Sequence, residues 1–326
     1  MKTYKLGGGK MRKNSFKLLA MAVIFSLLLI GCGQKDEANN TKVEKKGPIT
    51  VASFIDSEGS ILGQMIILVL KQNGFEVVDK TKLGTPDVLR KAILQKEIDL
   101  QIDYTGNGMY YHNDNSPVWH DAQKGYETIK KLDLEKNHLV WLTPAPANNT
   151  EMIATTKEMA EKNNLKDLND FARYVNQGGK VKLICSQEFA DNEMGLKGME
   201  KAYGFKLKKE QLITLSHGNT AQMLKALYQG TDGVNFSLAY GTDGQLEKLN
   251  LVVLKDPKNI PPIYLPTPVI REEVLKKYPE IENLLKPVFE SLDAQTLRTL
   301  NAKVAFDGLD ARKVAEDYLK EKGFLK

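Results

Sequence analysis

Tyr104-Thr105-Gly106-Asn107 sets an aromatic ring, a hydroxyl, a pliable backbone and an amide at four consecutive positions. Ala239-Tyr240-Gly241-Thr242-Asp243-Gly244 places a ring, a hydroxyl and a carboxylate among glycines, and Tyr264 follows Pro261-Pro262-Ile263. Asn148-Asn149-Thr150-Glu151 adds two amides, a hydroxyl and an acid. These groups hold ligands; they do not break bonds. Ring faces attract cations, and glycines let the backbone come close to a ligand. Two readings of the tyrosines stand. Either they converge and box a quaternary ammonium, or each caps the core with its hydroxyl in water. The stretch around Tyr104 is likewise either a cleft wall or a plain turn, since Asn107-Gly108 is a common turn pair.

The search for catalytic chemistry is negative. No G-x-S-x-G nucleophile elbow is present. His112, His120, His138 and His217 are scattered without i, i+4 pairing, so no zinc site is expected. Asp167 and Asp170 fit a solvated helix face. No cofactor, no metal and no enzymatic activity are expected.

The elements that would position these residues alternate. Strand-like Ile49–Ala52 is followed by a dense apolar helix from Gly59 to Asn73, stopped at Gly74. Phe75–Val78 reads as a strand. Thr85-Pro86 supplies an N-cap and a first-turn proline for a helix to Lys96. Ile98–Ile102 alternates apolar and polar residues, and Tyr104 falls at its carboxyl end, where open α/β sheets bind ligands. A helix over 123–134 and a strand over 139–142 follow, and the alternation argues for a largely parallel sheet. Thr143-Pro144-Ala145-Pro146-Ala147 then reads as an extended crossing. The alternation restarts with strands at 152–155, 181–184, 234–238 and 251–254 and helices around 169–176, 193–203 and 220–229. A second proline-rich crossing runs from Asp256 to Pro266, and the tail from Arg271 is nearly all helix. The expected fold is α/β with two lobes joined by two crossings. Lobe 1 is discontinuous, residues 48–146 and 263–326, and lobe 2, residues 147–262, is inserted.

At 326 residues the chain has room for two such lobes. Its formal charge of +5 is an amino-terminal effect. Six of the 46 basic residues and no acid fall in residues 1–31, so the remainder carries 40 basic and 41 acidic residues. That balance excludes a basic nucleic-acid footprint. Arg12, Lys13 and Lys17 precede an apolar run, Leu18 to Ile30, too short for the roughly 20 residues that span a bilayer. With Leu29-Ile30-Gly31-Cys32 it reads as a lipoprotein signal over residues 1–31, cleaved before a lipidated Cys32, with Met1 or Met11 as the start. Residues 32–47 read as a polar, flexible tether. Cys185, in an apolar strand, is then the one remaining thiol and reads as buried and inert.

Asp103-Tyr104-Thr105-Gly106, Pro144 to Thr150, Tyr240 to Gly244 and Pro268-Val269-Ile270-Arg271-Glu272 resemble, in order, motifs of the osmoprotectant (quaternary-amine) substrate-binding proteins of ABC transporters. The likeness covers residues 48–326. It implies a two-lobed type II periplasmic binding protein fold that closes on glycine betaine, choline or carnitine. A monomer, lipid-anchored to the outer side of a cell membrane, would deliver that ligand to an ABC permease and ATPase. By matching motif, Tyr104 would be a cage wall and Asn107 a polar contact, with Thr105, Asn148, Asn149, Thr150, Thr242 and Asp243 beside them. Tyr240 and Tyr264 would be further walls. Three positions depart from the pattern. Phe54 stands where many members have a lysine, Asn192 where many have an arginine, and Glu151 where an aromatic usually follows Asn-Asn-Thr. The two cations hold the ligand's carboxylate in the family by charge-assisted bonds, so the resemblance implies weakened grip on glycine betaine here. Glu151 either attracts a cation lacking a carboxylate or faces solvent. An alternative role is a sensing lipoprotein of the same fold with no transport function.

Overall fold

A computed structural model describes residues 46–216 and 220–326. The signal, Cys32 and His217 lie outside the described residues, as does the tether up to residue 45. Lys46 and Gly47, read from the sequence as part of the tether, belong to the first strand.

Ten strands form two five-stranded sheets. They are β1 (Lys46–Phe54), β2 (Phe75–Gly84), β3 (Leu100–Tyr104), β4 (Leu139–Trp141), β5 (Glu151–Thr156), β6 (Leu183–Ser186), β7 (Leu212–Leu215), β8 (Phe236–Tyr240), β9 (Leu251–Val253) and β10 (Pro266–Arg271). The first sheet has the order β2-β1-β3-β10-β4 and the second β7-β6-β8-β5-β9. Each sheet is largely parallel, as expected, with four strands running one way and a single reversed strand. β1 runs parallel to β2 and β3, but β10 is antiparallel to both β3 and β4. In the second sheet β6 is parallel to β7 and β8, while β5 is antiparallel to β8 and β9. The reversed strands are the two that follow the crossings. A chain arriving from the other sheet enters at the end where the other strands finish, and so must run against them.

β10 was hidden in the sequence by Pro266 and Pro268, which argue against a central strand. The structure shows why it tolerates them. In an antiparallel pair a residue's N–H and C=O point to the same side. The carbonyls of Pro266 and Pro268 accept from Ala145 and Leu142, both at 2.9 Å. The missing donors therefore fall on the β4 side, where only three residues pair. The β3 side keeps its five-residue ladder.

The helix Ser57–Gln72 is buried at every position from Glu58 to Leu70. It is apolar all round because it is enclosed all round, lying between the first sheet and the helices Glu280–Glu290, Ala294–Ala305 and Ala311–Glu321. Asp56 caps it, accepting from the Gly59 amide. Thr85 stands at the N-cap of Pro86–Leu94, but its side chain makes no capping bond. A separate core on the second sheet packs Phe171, Phe189, Phe236 and Leu238. Cys185 lies in that core, fully buried.

Candidate functional site

β1 and β3 are parallel neighbours, so their last residues, Phe54 and Tyr104, lie side by side. Their rings stack with centroids 5.5 Å apart. Tyr264, from the second crossing, packs against the same pair. Gly106 makes this possible, since a Cβ there would lie 2.7 Å from the Tyr264 ring. Three of the expected site residues thus form one aromatic cluster.

The Tyr104 hydroxyl donates to Glu58 Oε1 at 2.7 Å. Glu58, only 4% exposed, also accepts from Asn149 Nδ2 (3.3 Å) and Asn301 Nδ2 (2.7 Å), with the Thr242 hydroxyl nearby. Burial pushes its carboxyl up to about 7, against the opposing effect of these donors.

Tyr240 closes β8 directly opposite Glu151, the first residue of β5. Burial, then the charge of Glu188, pushes Glu151 up to about 7. Burial, then the neighbouring Tyr110, Glu151 and Tyr240, push the Tyr264 hydroxyl well above its usual range. Tyr110, Tyr240, Tyr264 and Glu151 are therefore electrostatic neighbours, and Tyr264 also packs on the Phe54–Tyr104 stack. Glu151 is half-buried rather than turned out to solvent.

Other expected contacts brace the frame. Asn107 Nδ2 donates back to Asp103 Oδ1 at 2.8 Å. Thr105 Oγ1 donates to the Ile263 carbonyl (3.0 Å) and accepts from the Leu265 amide (3.1 Å). Asn148 Oδ1 accepts from the Tyr264 amide (3.0 Å), and Thr150 Oγ1 donates to the Pro262 carbonyl (2.7 Å). These bonds lace the two crossings together and fix Tyr264 between them. Asp243 accepts from the Tyr240 amide (2.7 Å) and the Thr220 hydroxyl (3.1 Å). Asn192 accepts from the Met194 amide (2.8 Å). No hydrogen bond joins Asn192 to these tyrosines among the described residues.

Tyr110, Glu58 and Asn301 escaped the sequence reading. For Tyr110 a signal existed, since Met109-Tyr110-Tyr111 directly follows the glycine turn. Glu58 gave none, because an acid in a helix's first turn is explained by the macrodipole alone. Asn301 is an unremarkable polar residue of a tail helix. No group of three or more His, Cys, Asp or Glu among the described residues is placed to hold a metal ion.

Two mixed α/β sheets joined by two laced crossings, with aromatic residues at the strand ends between them, define a type II periplasmic binding protein, a class that captures ligands. Residues 47–321 match the substrate binding domain of ABC-type glycine betaine transport systems, and the chain belongs to that family. It is similar to the glycine betaine-binding protein YehZ of Escherichia coli (strain K12), 51% identical over 285 residues, which are 87% of this chain and 93% of that one. A glycine-betaine-binding protein of Pseudomonas aeruginosa is 33% identical over 275 residues, covering 82% of this chain and 86% of its own. The solved structure of apo YehZ aligns with a TM-score of 0.78 at 51% identity, over 86% of this chain and all of that one. The chain is accordingly a substrate-binding component of an ABC transport system and not an enzyme.

Proposed function

We propose that this protein is the extracytoplasmic binding component of an ABC importer for a small quaternary amine of the glycine betaine, choline and carnitine class. The ligand enters a cleft between a lobe of residues 48–146 and 263–326 and a lobe of residues 147–262. Its trimethylammonium sits among Tyr104, Tyr110, Tyr240 and Tyr264, whose ring faces attract it. The loaded protein delivers it to a permease powered by an ATPase, and a lipid on Cys32 holds the protein at the membrane.

The observation that carries this reading is the cross-strand pairing of Glu151 with Tyr240, with Tyr264 and Tyr110 as electrostatic neighbours of that pair. The charge acting on Glu151 is that of another acid, Glu188. An acid held in an aromatic group with no basic partner suits a cationic guest. The relatives' names point to glycine betaine, yet Phe54 is occupied in stacking and Asn192 in its own loop, so neither supplies an anchor for a carboxylate. Choline, which has none, fits this cleft better. Calorimetric titration of the protein against choline, glycine betaine, carnitine and ectoine tests this. Binding of choline, at least as tight as that of glycine betaine, is expected. No heat and no thermal shift with any of the four would overturn the ligand class.

A further inference from the structure

We infer that Glu58 is a positioning residue that couples the ring of Tyr104 to the Thr242 turn of the second sheet, and so holds the cleft in its approached arrangement before a ligand enters. Glu58 belongs to the first turn of Ser57–Gln72, against the first sheet. Thr242 follows β8 of the second. The connection between them runs through Asn301. One Nδ2 hydrogen of Asn301 goes to Glu58 Oε2 at 2.7 Å and the other to the Thr242 carbonyl at 2.9 Å. The Thr242 hydroxyl lies close enough to favour the charged form of Glu58. One helical turn before Asn301, Arg298 Nε donates to the Gly241 carbonyl at 2.8 Å.

The fit between the two bodies is close. A Cβ on Gly244 would lie 2.3 Å from the Ala302 backbone nitrogen. The turn after β8 is thus seated on Ala294–Ala305, and Glu58 is one of several polar fastenings there. The others include the Arg298–Gly241 bond and the bonds of Glu247 to Gln295 and Thr299 and of Lys248 to Asp307. At position 58 only an acid satisfies every partner. A carboxylate offers about four lone-pair sites and no donor, and here it accepts from the Tyr104 hydroxyl and the Asn149 and Asn301 amides, with the Thr242 hydroxyl beside them. The amide of a glutamine would turn its NH2 toward one of those donors and give up the matching bonds. Asp56 lies near on the same helix start and adds repulsion. Arg298 neighbours Asp243 rather than Glu58. Glu58 is therefore met by neutral hydroxyls and amides, and each of them belongs to a part that must be placed: the ring wall, the first crossing, the tail helix and the second sheet's turn.

The affinity measurement below rests on the cleft being the choline site, whereas the scattering measurement does not. Small-angle X-ray scattering of the protein without ligand compares wild type, Glu58→Gln and Asn301→Ala, each checked for folding by circular dichroism. Both variants should show a larger radius of gyration than wild type, returning to the wild-type value at saturating choline. Choline affinity should fall roughly tenfold, the size expected for losing hydrogen bonds to a charged group. Tyr104→Phe keeps the ring and removes the hydroxyl. Added to Glu58→Gln it should cost less than about twofold more, because its partner is already lost. Wild-type radius and affinity in Asn301→Ala and Glu58→Gln would overturn the inference, as would losses for Glu58→Gln and Tyr104→Phe that simply multiply. Should Glu58→Gln fail to fold, Asn301→Ala alone decides. Should wild type not bind choline, the ligand reading fails by itself and the ligand-free radii still decide this one.

Discussion

Glu151 and Tyr240 stand opposite one another across the antiparallel pair of β5 and β8. The pairing puts an acid and a phenol ring together at the end of the second sheet nearest the first crossing. Because burial, then Glu188, holds Glu151 at about 7, its charge changes across neutral pH. A bound cation favours the ionised acid, so binding below pH 7 expels a proton. Choline affinity is therefore expected to rise from pH 6 to pH 8 and to be lost progressively as pH falls through 7. Glu151→Gln should flatten that part of the profile. Calorimetry in buffers of different ionisation enthalpy reads the proton released; an unchanged slope in the variant would remove Glu151 from the site.

Tyr104 stacks its ring on Phe54 and gives its hydroxyl to Glu58, and the proposed function makes that ring a wall of the cleft. Cation–π attraction contributes about 0.5–2 kcal/mol once desolvated. Tyr104→Ala should weaken ligand binding several-fold to tens-fold while the circular dichroism spectrum stays native. Unchanged affinity would exclude the ring from the cleft wall.

Gly244 touches the backbone of Ala302 and Asn301. Gly244→Ala cannot be absorbed by a side-chain rotation, since the clashing atoms are main chain. A loss of about 1–3 kcal/mol is expected from such overpacking, measured by urea denaturation. A wild-type midpoint would show that the two helices separate freely.

Asp133, fully buried, accepts from Arg90 at 2.7 and 2.5 Å and from Trp141 and Asn137 at 2.7 and 2.8 Å. Burial acts to raise its pKa, but the Arg90 bonds outweigh it and hold the carboxyl below its usual range. Asp133→Ala leaves Arg90, only 8% exposed, without its partner. A stability loss of about 3–5 kcal/mol is expected for breaking a buried pair. Guanidinium denaturation measures it, and a loss under about 1 kcal/mol, the level of an exposed ion pair, would contradict the buried role.

Much of this architecture is legible in the sequence because its signals are local. The apolar run within Ser57–Gln72, the strand ending at Tyr104 and the two proline-rich crossings all follow from periodicity and punctuation. What is not legible depends on distant partners. Pro266 and Pro268 conceal β10, whose acceptability depends on which side each carbonyl faces. β7 passes unnoticed because Leu212–Leu215 is a short stretch at the sheet's edge. The amides and hydroxyls at 105, 107, 148 and 150 are recognisable as a set, but those at 105, 148 and 150 bond backbone atoms of the second crossing and Asn107 bonds the Asp103 carboxylate. Glu58 and Asn301, 243 positions apart, meet only in the folded chain.

The most direct measurement is a crystal structure of the protein with choline. The proposed function requires the trimethylammonium to lie within about 6 Å of the Tyr240 and Tyr264 ring centroids, on the side of Glu151. Density for choline elsewhere, with these tyrosines facing an empty cleft, would contradict it.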